Sequence, residues 1–347
     1  MIKDGTGGNA RKRVRMDSLL ALLVVAVVVL LLNYWGNTGD NAAPPEQPAA
    51  PAQQAPAEPR VSRSEIPEAG PAVRFLMQNV ENYFVEGERT RSRYVSTPKP
   101  VAARDAVAKG IAHLQPEIVG LVEMGGEVSL NDLRARLAKL GLEYPYHRVL
   151  MREGEDRALA VLSRHPIVQD RSTPDYPLYG VQNRKMLRGI LDVVVKTPDG
   201  RLFRIIGAHL KSHVAEDAAA ADNLRQREAI TLSMYLQKIA REQPGIPTLV
   251  YGDWNDGPGT PAIRQLEQGV SKDAAVTRLN PKDKNGETWT IYYKTGNQYL
   301  TYDMVFVNQA LNSRIKKGGK GKKAPFGVAD TPARRASDHR AVWCDLF

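Results

Sequence analysis

The sequence contains one cysteine, Cys344, so no disulfide within the chain can brace the fold and stability must come from a buried core. No internal repeat is visible. A hydrophobic content of 42% and a charged content of 25% exclude fibrous and wholly disordered classes for the bulk of the chain. Two stretches lack something more specific. Residues 36–70 have no aromatic residue, and their only branched aliphatics are Val61 and Ile66. Such a Pro-, Ala- and Gln-rich segment cannot bury enough apolar surface to fold, and it reads as an extended, semi-stiff tether. The run from Ser18 to Leu32 lacks any polar face, which excludes an amphipathic core helix.

That run follows Arg11, Lys12, Arg13 and Arg15 and precedes Tyr34 and Trp35, the flanks of a membrane-targeting segment. Its helical length of roughly 22 Å is short of a ~30 Å hydrocarbon core, though Asn33 to Gly36 extend it into the interface. Asn41, Ala42 and Ala43 come near a cleavage site, but Pro44 and Pro45 follow at once, which favours an uncleaved anchor. The basic flank keeps the tail inside and sends everything after Trp35 across the membrane. The expected organisation is therefore a basic cytoplasmic tail (1–17), a transmembrane anchor or signal segment (18–36), a Pro/Ala-rich linker (37–70) and a folded domain (71–347) that acts outside the cytoplasm, periplasmic or extracellular. A bacterial origin suits this short tail, single anchor and tether.

The tail to Asp17 carries five basic and two acidic residues and the tether two basic and five acidic, so the folded domain carries all of the net +10. A basic domain attracts polyanions such as nucleic acid or anionic head groups. Within it, Val73–Gln78, Ile118–Met124, Ala158–Ser163, Gly189–Lys196, Leu202–His209 and Thr248–Asp253 read as short apolar strands. Ala102–Leu114, Leu130–Leu140 and Asp217–Arg241 have the three- and four-residue apolar spacing of helices. Mixed strands and helices of this kind predict an α/β fold with sheets packed on each other and helices outside.

The functional signal is the placement of polar residues where strands end. Asn79 follows the first strand, Glu123 is near the end of the second, His209 ends a later one, and Asp253 and Asn255 end another. Ser337, Asp338 and His339 stand near the C-terminus. Hydrolysis of a phosphodiester needs hard oxygen ligands for a cation, a base for water and donors for the phosphate, and this set supplies all three. Glu123 inside IVGLVEM and Asp303 before MVFV would each be costly to bury without a partner or metal. Taken singly, the others have plainer readings: Asn79 as a turn former, and GDWND as an Asx-rich turn around a buried Trp254.

Six fragments in order, MQNVENYF, PEIVGLVEM, GAHLKSH, YGDWND, YDMVFVN and SDHRAVWCDLF, resemble the motifs of the endonuclease/exonuclease/phosphatase superfamily over residues 73–347. The resemblance implies a four-layer α/β sandwich of two mixed β-sheets face to face with outer helices, and a deoxyribonuclease-like, metal-dependent phosphoesterase. It implies Glu123 as the principal metal ligand, Asn79 beside metal and phosphate, and Asp338 on the metal side. Asp253 would orient or deprotonate the attacking water, with Asn255 on the phosphate. His339 would contact a phosphoryl oxygen, oriented by Asp303, and His209 would stabilise the transition state or serve the leaving group as an acid. The cofactor implied is Mg2+, with Mn2+ or Ca2+ as substitutes.

Arg188 before the GILDVVV strand could reach a phosphate or be merely solvated, and Arg164 could cap a turn. His113, His147, His165 and His213 are left out of the site. The run from Arg314 to Lys323 reads as a flexible basic loop, either solvated or on a phosphate backbone. Members of the superfamily cleave DNA, RNA, phosphoinositides or sphingomyelin with nearly the same groups, so loops decide the substrate. The basic domain, the basic run and the lack of a conspicuous exposed aromatic hairpin lean toward a nuclease, acting as an endonuclease. A phosphodiesterase or phosphatase of lipid or inositol phosphate head groups is the alternative, and a non-catalytic binding module on the same fold the lesser one. The sequence points to no protein partner, and a monomer is expected.

Overall fold

In a computed structural model the structure describes residues 71–88, 97–318, 325–329 and 336–347. The expected tail, anchor and linker lie outside the described residues, and among those described no helix is long and apolar enough to cross a membrane.

The first half of the folded domain runs β1 (Val73–Tyr83), α1 (Val101–Leu114), β2 (Ile118–Met124), α2 (Glu127–Lys139), β3 (Tyr146–Leu150), β4 (Ala158–Ser163) and β5 (Ile167–Asp170). The second runs β6 (Leu191–Lys196), β7 (Leu202–His209), α3 (Ala218–Glu242), β8 (Thr248–Asp253), α4 (Pro261–Gln268), β9 (Thr277–Arg278), β10 (Ile291–Tyr293), β11 (Gln298–Leu300), β12 (Asp303–Val307), α5 (Gln309–Gly318), β13 (Phe326–Val328) and β14 (Val342–Leu346). Two six-stranded mixed sheets result, ordered β13-β14-β1-β2-β4-β3 and β5-β6-β7-β8-β12-β9, while β10 and β11 form a separate hairpin.

The sequence has a strand period of two inside the sheets and a helical period outside them, and this produces four layers. Phe75 and Met77 of β1 face Phe203, Ile205, Leu249 and Val305 between the sheets. Leu76, one residue out of step, faces Val107, Ile111, Leu133 and Leu137 of α1 and α2. On the far side, Ile206 and Val250 meet Leu232, Leu236 and Ile239 of α3 and Ile263 of α4. The expected α/β sandwich is therefore the observed one. Pro100 lies just before α1, and Pro116 follows the left-handed Gln115 that caps its end. Asp217 caps α3 by accepting a hydrogen bond from the Ala220 amide.

The sheets are locked together by Tyr251. Its ring meets Phe75 at 5.5 Å between centroids, and its hydroxyl crosses from β8 to donate to the Ala160 carbonyl on β4 (2.9 Å). Gly120 on one sheet and Gly207 on the other leave room for that ring, since a Cβ at either would come within 2.7 Å of it.

Three expectations are corrected. Asn79 lies within β1 instead of following it, because β1 continues through an irregularity to Tyr83. The segment Arg314–Gly318 closes α5 and is not loop; Leu311 and Ile315, one turn apart, face the core and hold the helix there. The rest of that basic run lies outside the described residues. An exposed aromatic hairpin does exist: β10–β11 carries Tyr293 and Tyr299, 43% and 52% exposed. Its three tyrosines, Tyr292, Tyr293 and Tyr299, are separated in sequence, and strand pairing brings Tyr292 against Tyr299 with Trp289 beside them.

Candidate active site

The catalytic candidates meet because strand register delivers them to one end of both sheets. In the second sheet His209 of β7 pairs with Asp253 of β8, and Asp253 pairs with Asp303 of β12, so three polar side chains stand abreast. The first sheet contributes Asn79 from β1 and Glu123 from β2, with Ser337 to His339 arriving just before β14. The Asn79 amide donates to Asp253 Oδ2 (2.9 Å), which joins the two sheets across the site.

Backbone strain concentrates here. Glu123 has φ of +61°, a left-handed conformation rare for a non-glycine residue, at the point where the β2–β4 register shifts. The bulge turns its carboxylate out of the strand ladder toward the site. Glu81, Asn82 and Asn255 also have positive φ, at 47°, 53° and 49°. The Asn82 amide donates to Glu123 Oε2 (3.2 Å). The Asn255 amide donates to Asp253 Oδ1 (2.9 Å), while its side chain donates to the Leu210 carbonyl (3.1 Å). Trp254 between them is fully buried and donates its indole N–H to the Met304 carbonyl, so GDWND is both a pinned turn and part of the site.

The two histidines have opposite electrostatics. His209 is buried, and burial, followed by the positive charges of Arg188 and Arg157, holds its pKa well below the ordinary imidazole range. It is neutral. Its Nε2 is 3.9 Å from Glu123 and 3.8 Å from Asp253, and its Nδ1 has no hydrogen-bond partner. His339 is equally buried, which by itself lowers its pKa, but Asp303, Asp253 and Asp338 outweigh burial and hold it well above that range. It is an imidazolium. Its Nδ1 bonds Asp303 Oδ2 at 2.6 Å, and its backbone N–H donates to Ser337 Oγ, which donates in turn to the Asn79 carbonyl. Asp253, stripped of water and close to Asp303 and Glu123, has its pKa pushed up to about 7 even against the opposing pull of His339.

These residues fit a divalent cation. Glu123, His209 and Asp253 offer ligand atoms within 4.8 Å of one another, as do Asp253, Asp303 and His339. Asp303 Oδ1 is buried with no hydrogen-bond partner. Carboxylates massed in a water-poor rim repel one another unless positive charge joins them, and hard oxygens suit a hard cation.

Asp338 falls outside both clusters. Its carboxylate is 3.7 Å from His339 Nε2, and its backbone N–H donates to Glu81 Oε2 (3.2 Å). Arg188 is buried, not solvated: its Nη1 donates to the Leu210 carbonyl (3.3 Å), and its charge acts on His209. Several neighbours escaped the sequence reading. Glu81 and Asn82 stand in the quoted MQNVENYF fragment and could have been noticed there. Arg157 gave no signal, yet its Nε donates to Asn82 Oδ1 (2.7 Å) and lies 3.4 Å from Glu123. Glu228 of α3, fully buried, accepts from the amides of Leu187 (2.9 Å) and Lys211 (2.8 Å), tying the segment before Arg188 to the one after His209.

The same fold occurs in solved structures. The β toxin of Staphylococcus aureus is 16% identical with a TM-score of 0.56, covering 79% of this chain and 99% of that one. An endonuclease/exonuclease/phosphatase protein from Bacteroides vulgatus is 17% identical at 0.55, covering 80% and 99%. The human Nocturnin catalytic domain is 16% identical at 0.54, covering 82% and 98%. No curated protein matches the sequence. The family model of the Endonuclease/Exonuclease/phosphatase family matches residues 79–339, from the asparagine that bridges the sheets to the imidazolium at the C-terminal edge of the site, and the chain accordingly belongs to that family.

Proposed function

We infer from the family assignment that the chain is a metal-dependent hydrolase of phosphoester bonds. We propose that it is a Mg2+-dependent nuclease cutting phosphodiester bonds within nucleic acid, held at a membrane by its N-terminal segment with the folded domain outside the cytoplasm. The observation that carries this is the convergence of Glu123, His209, Asp253, Asp303 and His339 on one rim, on a domain that holds the entire net charge of +10.

Glu123 and Asn79 Oδ1 are the residues that would hold the cation. When bound it supplies positive charge against the phosphate and the leaving oxygen. Asp253 takes a proton from the attacking water as the water oxygen bonds to phosphorus, and burial, which raises its pKa, makes it a stronger base than a free carboxylate. His339, held by Asp303, donates from Nε2 to a phosphoryl oxygen as negative charge builds there. His209 is neutral and offers one N–H without charge, which suits a hydrogen bond to the transition state better than donation of a proton to the leaving group. The P–O bond to the leaving alcohol then breaks, and the alkoxide takes a proton from solvent.

The second reading is hydrolysis of lipid head-group phosphodiesters, favoured by the apolar run at Ser18–Leu32 that would keep the domain beside a bilayer. The deciding experiment presents the full-length chain in detergent with supercoiled plasmid, RNA and a lipid phosphodiester, each with magnesium and with EDTA. Nicking of plasmid or cleavage of RNA with magnesium only is expected. Turnover of the lipid alone would replace the nuclease reading with the second. Partition of the activity between membrane and soluble fractions tests the anchor.

A further inference from the structure

Beside His339 stands a cluster of flat groups, its rings tilted by 59° and 36° to one another, that the chemistry above does not use. The Arg340 guanidinium lies over the Trp289 ring at 4.1 Å. Trp289 meets Tyr299 at 4.8 Å between centroids, and Tyr299 meets its cross-strand partner Tyr292 at 4.9 Å. The inner end is fixed: Arg340 is buried and paired with Asp283 (2.8 Å). Tyr299, in contact with both Trp289 and Tyr292, is 52% exposed. The cluster is joined to the site by backbone. The Tyr292 amide donates to the Asp338 carbonyl (3.3 Å), the Arg340 amide to the Thr290 carbonyl (2.6 Å), and Ile291 bridges to His339.

The occupant follows from where the rings lie. The hairpin turn, Lys294-Thr295-Gly296-Asn297, is polar and exposed throughout, and the Tyr292 hydroxyl donates to Asn297 Oδ1 across it (2.9 Å). A surface that enters lipid buries apolar side chains there; the turn of this hairpin is polar and carries Lys294, and the paired Tyr292 and Tyr299 lie on the strands behind it. An exposed aromatic cluster with adjacent positive charge is the arrangement on which unpaired bases stack. Resting on the nucleic-acid reading above, we propose that Trp289, Tyr299 and Tyr292 form a stacking platform for a base next to the phosphodiester held at His339, and that single-stranded nucleic acid is the preferred substrate. Bases in a duplex keep their faces covered and cannot use such a platform.

The test separates this claim from the one it rests on. Binding of a labelled oligothymidylate of about 12 nucleotides to the full-length chain is followed by anisotropy in EDTA, where no cleavage occurs. Tyr299→Ala is expected to raise Kd roughly ten- to a hundredfold, and Tyr299→Phe, which keeps the ring, to restore parental binding. On an abasic strand of equal length the parent should bind as weakly as Tyr299→Ala binds oligothymidylate. Equal Kd for parent and Tyr299→Ala, or equal parental affinity for the abasic and base-bearing strands, overturns the platform while leaving plasmid nicking untouched. No binding of any strand together with no nicking overturns the nuclease reading itself. Unchanged oligonucleotide binding with lost turnover of phosphatidylcholine or sphingomyelin vesicles in Tyr299→Ala assigns the hairpin to a lipid surface and overturns the proposal.

Discussion

Strand β2 has a glutamate at each end, and the two are treated in opposite ways. Glu117, just before the strand, accepts from the Arg74 amide (3.2 Å) and bonds His165 (3.3 Å), and the His165 bond foremost holds its pKa below the ordinary carboxylate range. Arg74 beside it forks onto Asp345. Glu123, at the other end, sits on a left-handed backbone, 3.9 Å from a neutral histidine that it does not hydrogen-bond, among acids that repel it. One end of the sheets pairs its acid with a histidine; the other sets Glu123 on strained backbone, held by the Asn82 amide and 3.4 Å from Arg157, with Asp303 Oδ1 and His209 Nδ1 left without hydrogen-bond partners. Acids gathered for catalysis keep capacity for a cation and substrate, and the rest of the fold must supply the stability that the strained backbone costs.

That contrast can be broken most forcefully at the strained end. Glu123→Gln is expected to lower the kcat of magnesium-dependent hydrolysis by at least about a thousandfold, while the melting temperature in EDTA stays within about 2 °C of the parent. A large loss of thermal stability would show Glu123 to be structural. Asp303→Asn comes next: it frees the His339 ring from its fixed orientation and removes the charge that keeps it cationic, and kcat should fall by about a hundred- to ten-thousandfold. Loss confined to KM would argue against that role for His339. Between the ends, Gly120→Ala drives a methyl into the Tyr251 ring. It should cost about 1–3 kcal/mol in urea unfolding and leave kcat within about twofold of the parent, since the cleft is not touched.

The smallest effect belongs to Glu117. Its folded pKa is depressed, so it contributes stability above the unfolded value near 4.5, and that contribution is lost as pH falls through the folded value. Glu117→Gln should therefore destabilise the chain by a few tenths of a kcal/mol at pH 7, because the pair is only half buried, and by less at pH 3. Urea midpoints at both pH values measure it, and a larger cost in acid would contradict the assignment.

Much of this architecture is legible in the sequence, for local reasons. Runs such as ALAVLS and VVVK declare buried strands, and the spacing of Val107, Ile111 and Leu114 declares a helix, because burial patterns repeat with the backbone's own period. Asn79, Glu123, Asp253 and His339 could be singled out because a polar group interrupting or ending an apolar run is costly unless something pays for it. Arg157, Arg188 and Glu228 could not be placed, since a charged residue in a loop or helix looks solvated until tertiary packing covers it.

Residue types and order alone thus determined the two sheets, the outer helices and the set of groups able to do phosphoester chemistry, since each depends on interactions within a few residues. Which histidine is charged, where the bulge aims Glu123, and that Trp289, Tyr292 and Tyr299 become one cluster were decided only by the tertiary structure. Protonation, strain and stacking depend on neighbours brought together from distant parts of the chain, as Asp303 is to His339 and Tyr299 to Trp289.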